Sequence, residues 1–351
     1  MKFKINLKTI PIMLKPNYLL LPCTQTDSME EFNEVFFYYR DRNKKEPFKL
    51  IKRTKSGGIS LKGFKGHQWD LRNTKACIEL TVLDYDGCFR LQYRNNINKD
   101  LEIDNSIKVS GRIAYEKFKE ALKEEGIKLD DYALTPEEGL KEKEKIEKPM
   151  IFCPKPLYQG EKVVFHNVYH IDIRSSYPFG LKQYRPEFGA VIDKWFKLKE
   201  EGHKEYKAYL NLLIGMMQSA HIGYKHADIS RFAINLNNKR LRDKAQELKD
   251  KGDMVLLYNT DGIWFIGDYV PESGNELGDF RVDYCAKDFR IKSDGAYEFI
   301  DQDGVYHPVI RGKTRLDRIK PREEWGWGDI FRKETNIISY TIDYDNGIQE
   351  A

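Results

Sequence analysis

The stretch MVLLYNTDGIWFI, residues 254–266, decides how this chain is read. Met254 to Tyr258 is apolar and aromatic, Asn259-Thr260-Asp261-Gly262 is a polar tip, and Ile263-Trp264-Phe265-Ile266 is apolar again. Two short apolar runs around a polar turn form a β-hairpin, which puts Asp261 at its tip. Working back along the chain, VVFHNVYHIDIRSSYP, residues 163–178, reads as a strand over Val163–Ile173 that ends at Asp172. Two carboxylates at strand ends, brought together on one sheet, can hold two divalent cations about 4 Å apart. Such a pair suits phosphoryl transfer: one ion acidifies an attacking hydroxyl and the other neutralises a triphosphate and its leaving group. Magnesium accepts this arrangement because it takes oxygen ligands and keeps several waters.

The segment between the two carboxylates is helical in pattern. Trp195–Gly215 is one candidate, and Ser230–Lys249 is another, with Phe232, Ala233, Leu236, Leu241, Ala245 and Leu248 at helical intervals. Lys207, Asn211 and Gly215 are spaced by four and share a helix face. Lysine offers a mobile charge to phosphates, Asn a donor and an acceptor to a base or sugar edge, and Gly room for a nucleic-acid backbone. The same spacing also suits a plain amphipathic surface helix. Lys199 and Lys204 lie upstream and can extend a phosphate-binding surface or stand as solvated lysines.

Further out, residues 1 to about 135 mix strand-like runs and basic turns. Cys77–Leu83 and Phe89–Tyr93 read as strands joined at Asp86-Gly87. Ser110 can cap a helix over Arg112–Glu125, which Gly126 ends. The charged run between Thr135 and Pro149 reads as a linker or exposed helix, and the domain boundary is placed there.

With 351 residues, 40% hydrophobic and 32% charged, the chain can form one large domain or two ordinary ones. No apolar run is long enough for a membrane span, so no membrane partner is expected. Nor is a secretory signal, since the chain start lacks a small-residue cleavage site. Five scattered cysteines without a CxxC pair fit free thiols in a reducing cytoplasm. The net charge is +4, yet Arg40–Lys65 holds ten Lys or Arg against two acids, with Phe48, Phe64 and Trp69 nearby. This stretch reads either as a nucleic-acid contact or as a solvated basic loop.

In order, these pieces resemble the motifs of family B DNA polymerases, nearest to the protein-primed branch of phages and linear plasmids. The first motif, D-x-x-S-x-Y-P, matches Asp172, Ser175, Tyr177 and Pro178 in full. The second, K-x-x-x-N-x-x-x-G, matches Lys207, Asn211 and Gly215, and Asp193-Lys194-Trp195 upstream is similar to the protein-primed branch. The third, Y-x-D-T-D-S, aligns with Leu257-Tyr258-Asn259-Thr260-Asp261-Gly262 and is matched in part, at Thr260 and Asp261. Tyr158-Gln159-Gly160 resembles the Y-x-G-G signature that helps hold the template. Tyr297, Asp303-Gly304 and Arg311-Gly312 resemble the primer-gripping hairpin. The resemblance covers residues 156 to 313, under half the chain.

The resemblance implies an α+β fold: a polymerase palm, meaning an antiparallel sheet with helices packed on one face, at residues 150–313. Short fingers, a reduced thumb at 314–351 and a separate α+β N-terminal domain at 1–149 complete the expected architecture. Asp172 and Asp261, with the Ile173 carbonyl, would bind two Mg2+ ions, with Mn2+ as a substitute. Ser175 and Ser176 would approach the triphosphate, Lys199 and Lys207 its phosphates, and Asn211 the nascent base pair. Tyr177 would pack under the deoxyribose and exclude a 2′-hydroxyl. Tyr158, Gly160, Gly215, Tyr297, Arg311 and Gly312 would contact DNA. The implied partners are a DNA primer-template, dNTPs and other replication proteins, in the host bacterial cytoplasm for a phage-encoded protein.

Departures are equally readable. Asn259 replaces the first Asp of the third motif and Gly262 its Ser. Leu212 and Ile214 replace the Ser and Tyr of the second motif, and Gly295 stands where the primer-gripping motif has Lys. Only 28 residues lie between Pro178 and Lys207, too few for the insertion that anchors a priming protein. No D-x-E followed by Thr marks an exonuclease, and Asp84-Tyr85-Asp86 reads as a β-turn. Two alternatives stay open: a non-catalytic nucleic-acid-binding replication protein on a decayed palm, and a primase-polymerase.

Overall fold

A long helix lies across one face of an antiparallel sheet, and that contact organises the centre of the molecule. The computed structural model describes residues 12–350 except 16–17, 22, 43–58, 61–67, 74–76, 85–86, 95–100, 104–106, 154, 311, 313, 337–339 and 344.

The first elements are strands β1 (Ile12–Lys15), β2 (Tyr18–Leu20) and β3 (Cys23–Thr26), helix α1 (Met29–Arg42), and strands β4 (Ile59–Ser60), β5 (Gln68–Asn73), β6 (Ile78–Asp84) and β7 (Gly87–Tyr93). A four-stranded sheet runs in the order β3-β7-β6-β5, with β3 and β7 parallel. On α1, Phe32, Val35, Phe36 and Tyr39 repeat at helical spacing and pack on Leu80, Val82, Phe89 and Leu91. Trp69 is buried in this core, its ring 5.8 Å from Phe36. It is therefore no stacking surface for bases. Phe48, Phe64 and most of the basic stretch lie outside the described residues.

Strands β8 (Leu101–Ile103) and β9 (Ile107–Val109) precede helix α2 (Gly111–Glu124), which Ser110 caps by accepting from the Ile113 N–H at 3.3 Å. The charged run then forms helix α3 (Pro136–Glu144). Thr135 and Glu138 make a reciprocal capping box, and Pro136 opens the first turn.

Next come β10 (Ile151–Phe152), β11 (Phe165–Ile173), α4 (Ser176–Tyr184), α5 (Gly189–Glu200), α6 (Lys204–Met217), α7 (Ala227–Asp250), β12 (Met254–Asn259), β13 (Gly262–Ile266), β14 (Phe280–Ser293), β15 (Ala296–Asp301) and β16 (Tyr306–Ile310). The strands form one antiparallel sheet in the order β10-β12-β13-β11-β14-β15-β16. Leu241, Ala245 and Leu248 of α7 cover Ile171, Val255, Ile263 and Phe265 on one face. The architecture is the expected α+β class, with helices on one face of an antiparallel sheet. Among the described residues, no helix is long and apolar enough to cross a membrane.

Packing crosses both expected boundaries. Tyr115, Phe118 and Leu122 of α2 share one core with Leu181, Phe188, Trp195, Leu213 and Ile229. A charge-rich run can still be a packed helix here, because α3 approaches the Tyr224 backbone through Gly139, which needs little apolar surface. The segment read as a reduced thumb is divided. Leu316 of α8 (Leu316–Ile319), Trp325 and Ile330 pack on Ala296 and Ile310. The hairpin of β17 (Tyr340–Asp343) and β18 (Gly347–Glu350) instead joins the first core through Ile348, whose N–H donates to Asn33 Oδ1 at 2.8 Å.

Helices α4 and α7 come close at Gly180, where an added Cβ would lie 2.6 Å from the Ala233 Cα. Backbone cannot yield as a flexible side chain can. Gly180→Ala is therefore expected to destabilise the protein by roughly 1–3 kcal/mol, read by denaturant unfolding.

Candidate active site

Strand alternation builds the site. Ile171 and Ile173 face inward and are 1% exposed, so Asp172 between them projects from the opposite face of β11 to that covered by α7. β11 lies between β13 and β14, and Asp172 is opposite Gly262 on β13. The β12–β13 hairpin closes with Asn259 opposite Gly262, leaving Thr260 and Asp261 as its two turn residues. The Ile173 N–H donates to the Asp261 carbonyl at 3.1 Å. The two carboxylates predicted to converge therefore sit on adjoining backbone.

Their environment disfavours charge. Burial, then the neighbouring Asp261 and Asp283, push the Asp172 carboxyl up to about 8, against Arg281. Burial likewise raises Asp261 to about 6, with Asp283 adding to the shift. Asp283 sits where the β11–β14 register shifts between His170 and Ile171, and it accepts from Arg281 Nε at 2.7 Å. A register shift of this kind re-aims a side chain toward a site. Two buried carboxylates sharing one negative region hold a proton until a cation replaces it. Hard oxygen donors suit magnesium or manganese. Among the described residues, no group of three or more His, Cys, Asp or Glu is arranged to hold a metal ion. A cation here would thus draw its other ligands from water, backbone and substrate.

Two non-glycine residues in left-handed conformation flank the pair: Ser175 at φ 48° and Thr260 at φ 64°. Such backbone persists where its surroundings hold it, and it clusters at functional sites. Lys199 Nζ donates to Ser175 Oγ at 2.8 Å, with Glu200 3.3 Å from the same ammonium. Burial lowers the Lys199 pKa. The Thr260 N–H donates to the Met150 carbonyl at 3.1 Å. A buried amide then joins the two loops. Ser176 Oγ donates to Asn237 Oδ1, and Asn237 Nδ2 donates to the Thr260 carbonyl at 2.6 Å. Asn237, 2% exposed on α7, ties the loop after Asp172 to the turn carrying Asp261. Sequence reasoning missed it. The available signal was a polar residue four positions after Ala233 and four before Leu241, on the apolar stripe of the helix.

Tyr177 is half-buried against the helical core, and burial together with Asp261 pushes its hydroxyl up to about 12. The structure therefore brings together Asp172, Ile173, Ser175, Ser176, Tyr177, Lys199 and Asp261. Lys207, Asn211 and Gly215 do share one exposed face of α6. Among the described residues, no hydrogen bond or ion pair links them to the carboxylates. Tyr158 is exposed, its ring 6.4 Å from Phe165. The Gly160 N–H donates to the Ile291 carbonyl at 2.9 Å, which docks that segment on the β14–β15 hairpin. Tyr297 packs there against Trp264 and Phe289. Gly312, at φ 81°, offers its carbonyl to Arg322 Nη2 at 2.6 Å. Arg311 lies outside the described residues.

The departures in the third motif have visible causes or consequences. A Cβ at Gly262 would run into the His170 imidazole, which stacks on Trp264 with centroids 4.4 Å apart. Glycine is the residue that leaves this ring its place. Asn259 Oδ1 accepts from Thr260 Oγ1 at 3.1 Å, and its Nδ2 donates to the Asp294 carbonyl at 3.4 Å. It braces the turn rather than adding a third acid.

No protein-family profile matches the chain. No curated protein matches it either. Among solved structures it is similar to the family B DNA polymerase of the hyperthermophilic archaeon Pyrobaculum calidifontis, at 16% identity and a TM-score of 0.31. That match covers 50% of this chain, which spans 30% of the archaeal one. It is also similar to Phi29 DNA polymerase complexed with primer-template DNA and incoming nucleotide substrates, at 10% identity and a TM-score of 0.49, covering 94% of this chain and 90% of that one. The orthorhombic form of Phi29 DNA polymerase gives 11% identity, a TM-score of 0.48 and 85% coverage of each chain.

Acids with raised folded-state pKa values make the folded protein bind more protons than the unfolded chain, so stability falls as pH rises. In metal-free buffer the fall is expected from near the ordinary value of 3.8 up to about 8. Thermal unfolding across that range checks it, and Asp172→Asn should remove most of the slope, leaving a protein more stable at pH 8 by about 2 kcal/mol.

Proposed function

We propose that this chain is a DNA-directed DNA polymerase that extends a primer 3′ end with deoxynucleotides at the Asp172–Asp261 pair. The observation that carries the reading is that two buried carboxylates with raised pKa values lie on adjoining backbone, joined by the bond from the Ile173 N–H to the Asp261 carbonyl. Mg2+ or Mn2+, held by Asp172, Asp261 and the Ile173 carbonyl, would neutralise developing charge and acidify the primer hydroxyl. The remaining work falls to the chain. Lys199, fixed on Ser175, holds a positive charge at the start of α4 for the phosphates of an incoming dNTP. Tyr177, beside Asp261, offers a ring on which a deoxyribose can rest and which a 2′-hydroxyl would meet. Lys207 and Asn211 present donors along the open face of α6. Asn237 keeps both carboxylate-bearing loops in register.

The substrates of this reading are a DNA primer-template and dNTPs, and its setting is phage or mobile-element replication in a bacterial cytoplasm, alongside other replication proteins. A second reading, a non-catalytic DNA-binding protein on the same scaffold, is favoured by one observation: Asn259 is spent on bracing the turn. Primer extension with Mg2+ or Mn2+, with and without template, separates the two. The parent protein should incorporate dNTPs and Asp172→Ala should lose at least 1000-fold (~4 kcal/mol of barrier); equal incorporation by both ends the enzymatic reading.

Tyr177→Ala is expected to admit ribonucleotides more readily, scored as the ratio of rNTP to dNTP incorporation. An unchanged ratio would remove Tyr177 from the sugar. Asn237→Ala is expected to lower turnover by about 10–100-fold, with the KM for dNTP changed much less, because residues behind a ligand act on its orientation. Steady-state kinetics at saturating template would read this; a change confined to KM would count against the bracing role.

A further inference from the structure

The end of helix α5 closes over the loop that follows Asp172, and the contact is made by charge. Arg174 is 9% exposed, and its backbone is fixed to the chain ahead of β14. Its N–H donates to the Asp279 carbonyl at 2.9 Å, and its carbonyl accepts from the Gly278 N–H at 2.8 Å. Its guanidinium donates to Glu200 through Nη2 and to Asn275 Oδ1 through Nη1 at 3.4 Å. The same group lies 5.5 Å from the centre of the Phe196 ring. Its Nε is buried, with no hydrogen-bond partner among the described residues. Lys199, one position before Glu200, reaches Ser175 Oγ and stands 3.3 Å from the other Glu200 oxygen. One carboxylate thus bridges two cations beside the left-handed Ser175.

Glu200 is in an unfavourable place for an acid. It is the last residue of α5, where the helix dipole favours cations and opposes a carboxylate. Arg174 and Lys199 are what hold it there. Among the described residues, no other acid forms an ion pair with either cation. Taking Glu200 away would leave a nearly buried guanidinium without a counter-charge, which is strongly destabilising. Some anion must therefore stand at this point. Arg174 is pinned at its backbone, whereas Glu200 is 34% exposed at a helix end and is free to swing out. We propose that Glu200 is a resident counter-anion, which occupies the phosphate-binding cations Arg174 and Lys199 until the phosphates of an incoming nucleotide replace it. Naming a nucleotide rests on the polymerase reading; the exchange of one anion for another does not. A polyphosphate suits the exchange, since its oxygens can take the planar donors of Arg174 and the point charge of Lys199 together. A carboxylate on the same chain competes as a tethered ligand at high effective concentration. Singly charged anions lose to it, and a polyphosphate displaces it at a reduced affinity. The buried charge stays paired in both states.

The test is isothermal titration calorimetry of the full chain, Glu200→Gln, Glu200→Asp and Glu201→Gln in metal-free buffer, with inorganic tripolyphosphate and with dATP as probes. Glu200→Gln should bind both probes about tenfold more tightly, the size expected for removing one partly solvated like charge at contact distance. Glu200→Asp keeps the charge but shortens its reach. It guards against a folding defect in the first variant and should bind both probes more tightly by a smaller factor. Glu201→Gln removes the same charge from the next position, where the acid lies 3.9 Å from Lys197 instead, and should bind as the parent does. Tighter binding in either Glu200 variant, with Glu201→Gln at the parent value, supports the exchange. Parent-like or weaker binding in both Glu200 variants would overturn it and leave Glu200 as a brace for Lys199. An equal gain in Glu201→Gln would overturn it in favour of net charge alone. A gain for tripolyphosphate without one for dATP would overturn the nucleotide and leave an inorganic anion at the site. No incorporation is measured, so a gain in a protein that never extends a primer would count against the polymerase reading and not against the exchange.

Discussion

The pairing of β11 with β13 is the constraint on which the rest depends. It sets Asp172 opposite Gly262 and lets the Ile173 N–H reach the Asp261 carbonyl, so two acids 89 positions apart in sequence become neighbours. Among the described residues, neither forms an ion pair with a lysine or arginine. Arg281, the nearest opposing charge on Asp172, is already engaged by Asp283. A protein that buries like charges without a partner gives up stability at that point. The arrangement is understandable when the missing positive charge is something the site is meant to receive.

Helix α7 does two jobs in this arrangement. Its apolar stripe seals the sheet face through Leu241, Ala245 and Leu248, and Asn237 on the same helix holds both loops from behind. Two left-handed backbones, at Ser175 and Thr260, are held by side chains from neighbouring helices, Lys199 of α5 and Asn237 of α7. The β14–β15 hairpin extends the same construction, with Gly160 docked on Ile291 and Asn259 reaching Asp294.

Much of this was legible in sequence because it follows from local pattern. The hairpin around Asp261, the strand ending at Asp172, the cap at Ser110 and the shared face of Lys207, Asn211 and Gly215 are all set by residue spacing. What was not legible depends on contacts distant in the chain. The charged run at 135–149 is poor in apolar residues, yet a capping box, the close approach of Gly139 to Tyr224 and the Arg231–Glu142 ion pair make its first part, Pro136–Glu144, a packed helix. The last hairpin could not be assigned to the first core, since its bond to Asn33 spans 315 positions. Gly262 looked like decay of a motif until His170 was seen to occupy the space a side chain would need.

The most direct measurement is a carbon-13 titration of the aspartate carboxyl groups, with and without magnesium. Convergence of the pair predicts two resonances, removed one each by Asp172→Asn and Asp261→Asn, that titrate well above the ordinary carboxylate range and move down when magnesium is added. Each replacement should also shift the partner that remains. Two aspartates that titrate at ordinary values, indifferent to each other and to the metal, would contradict it.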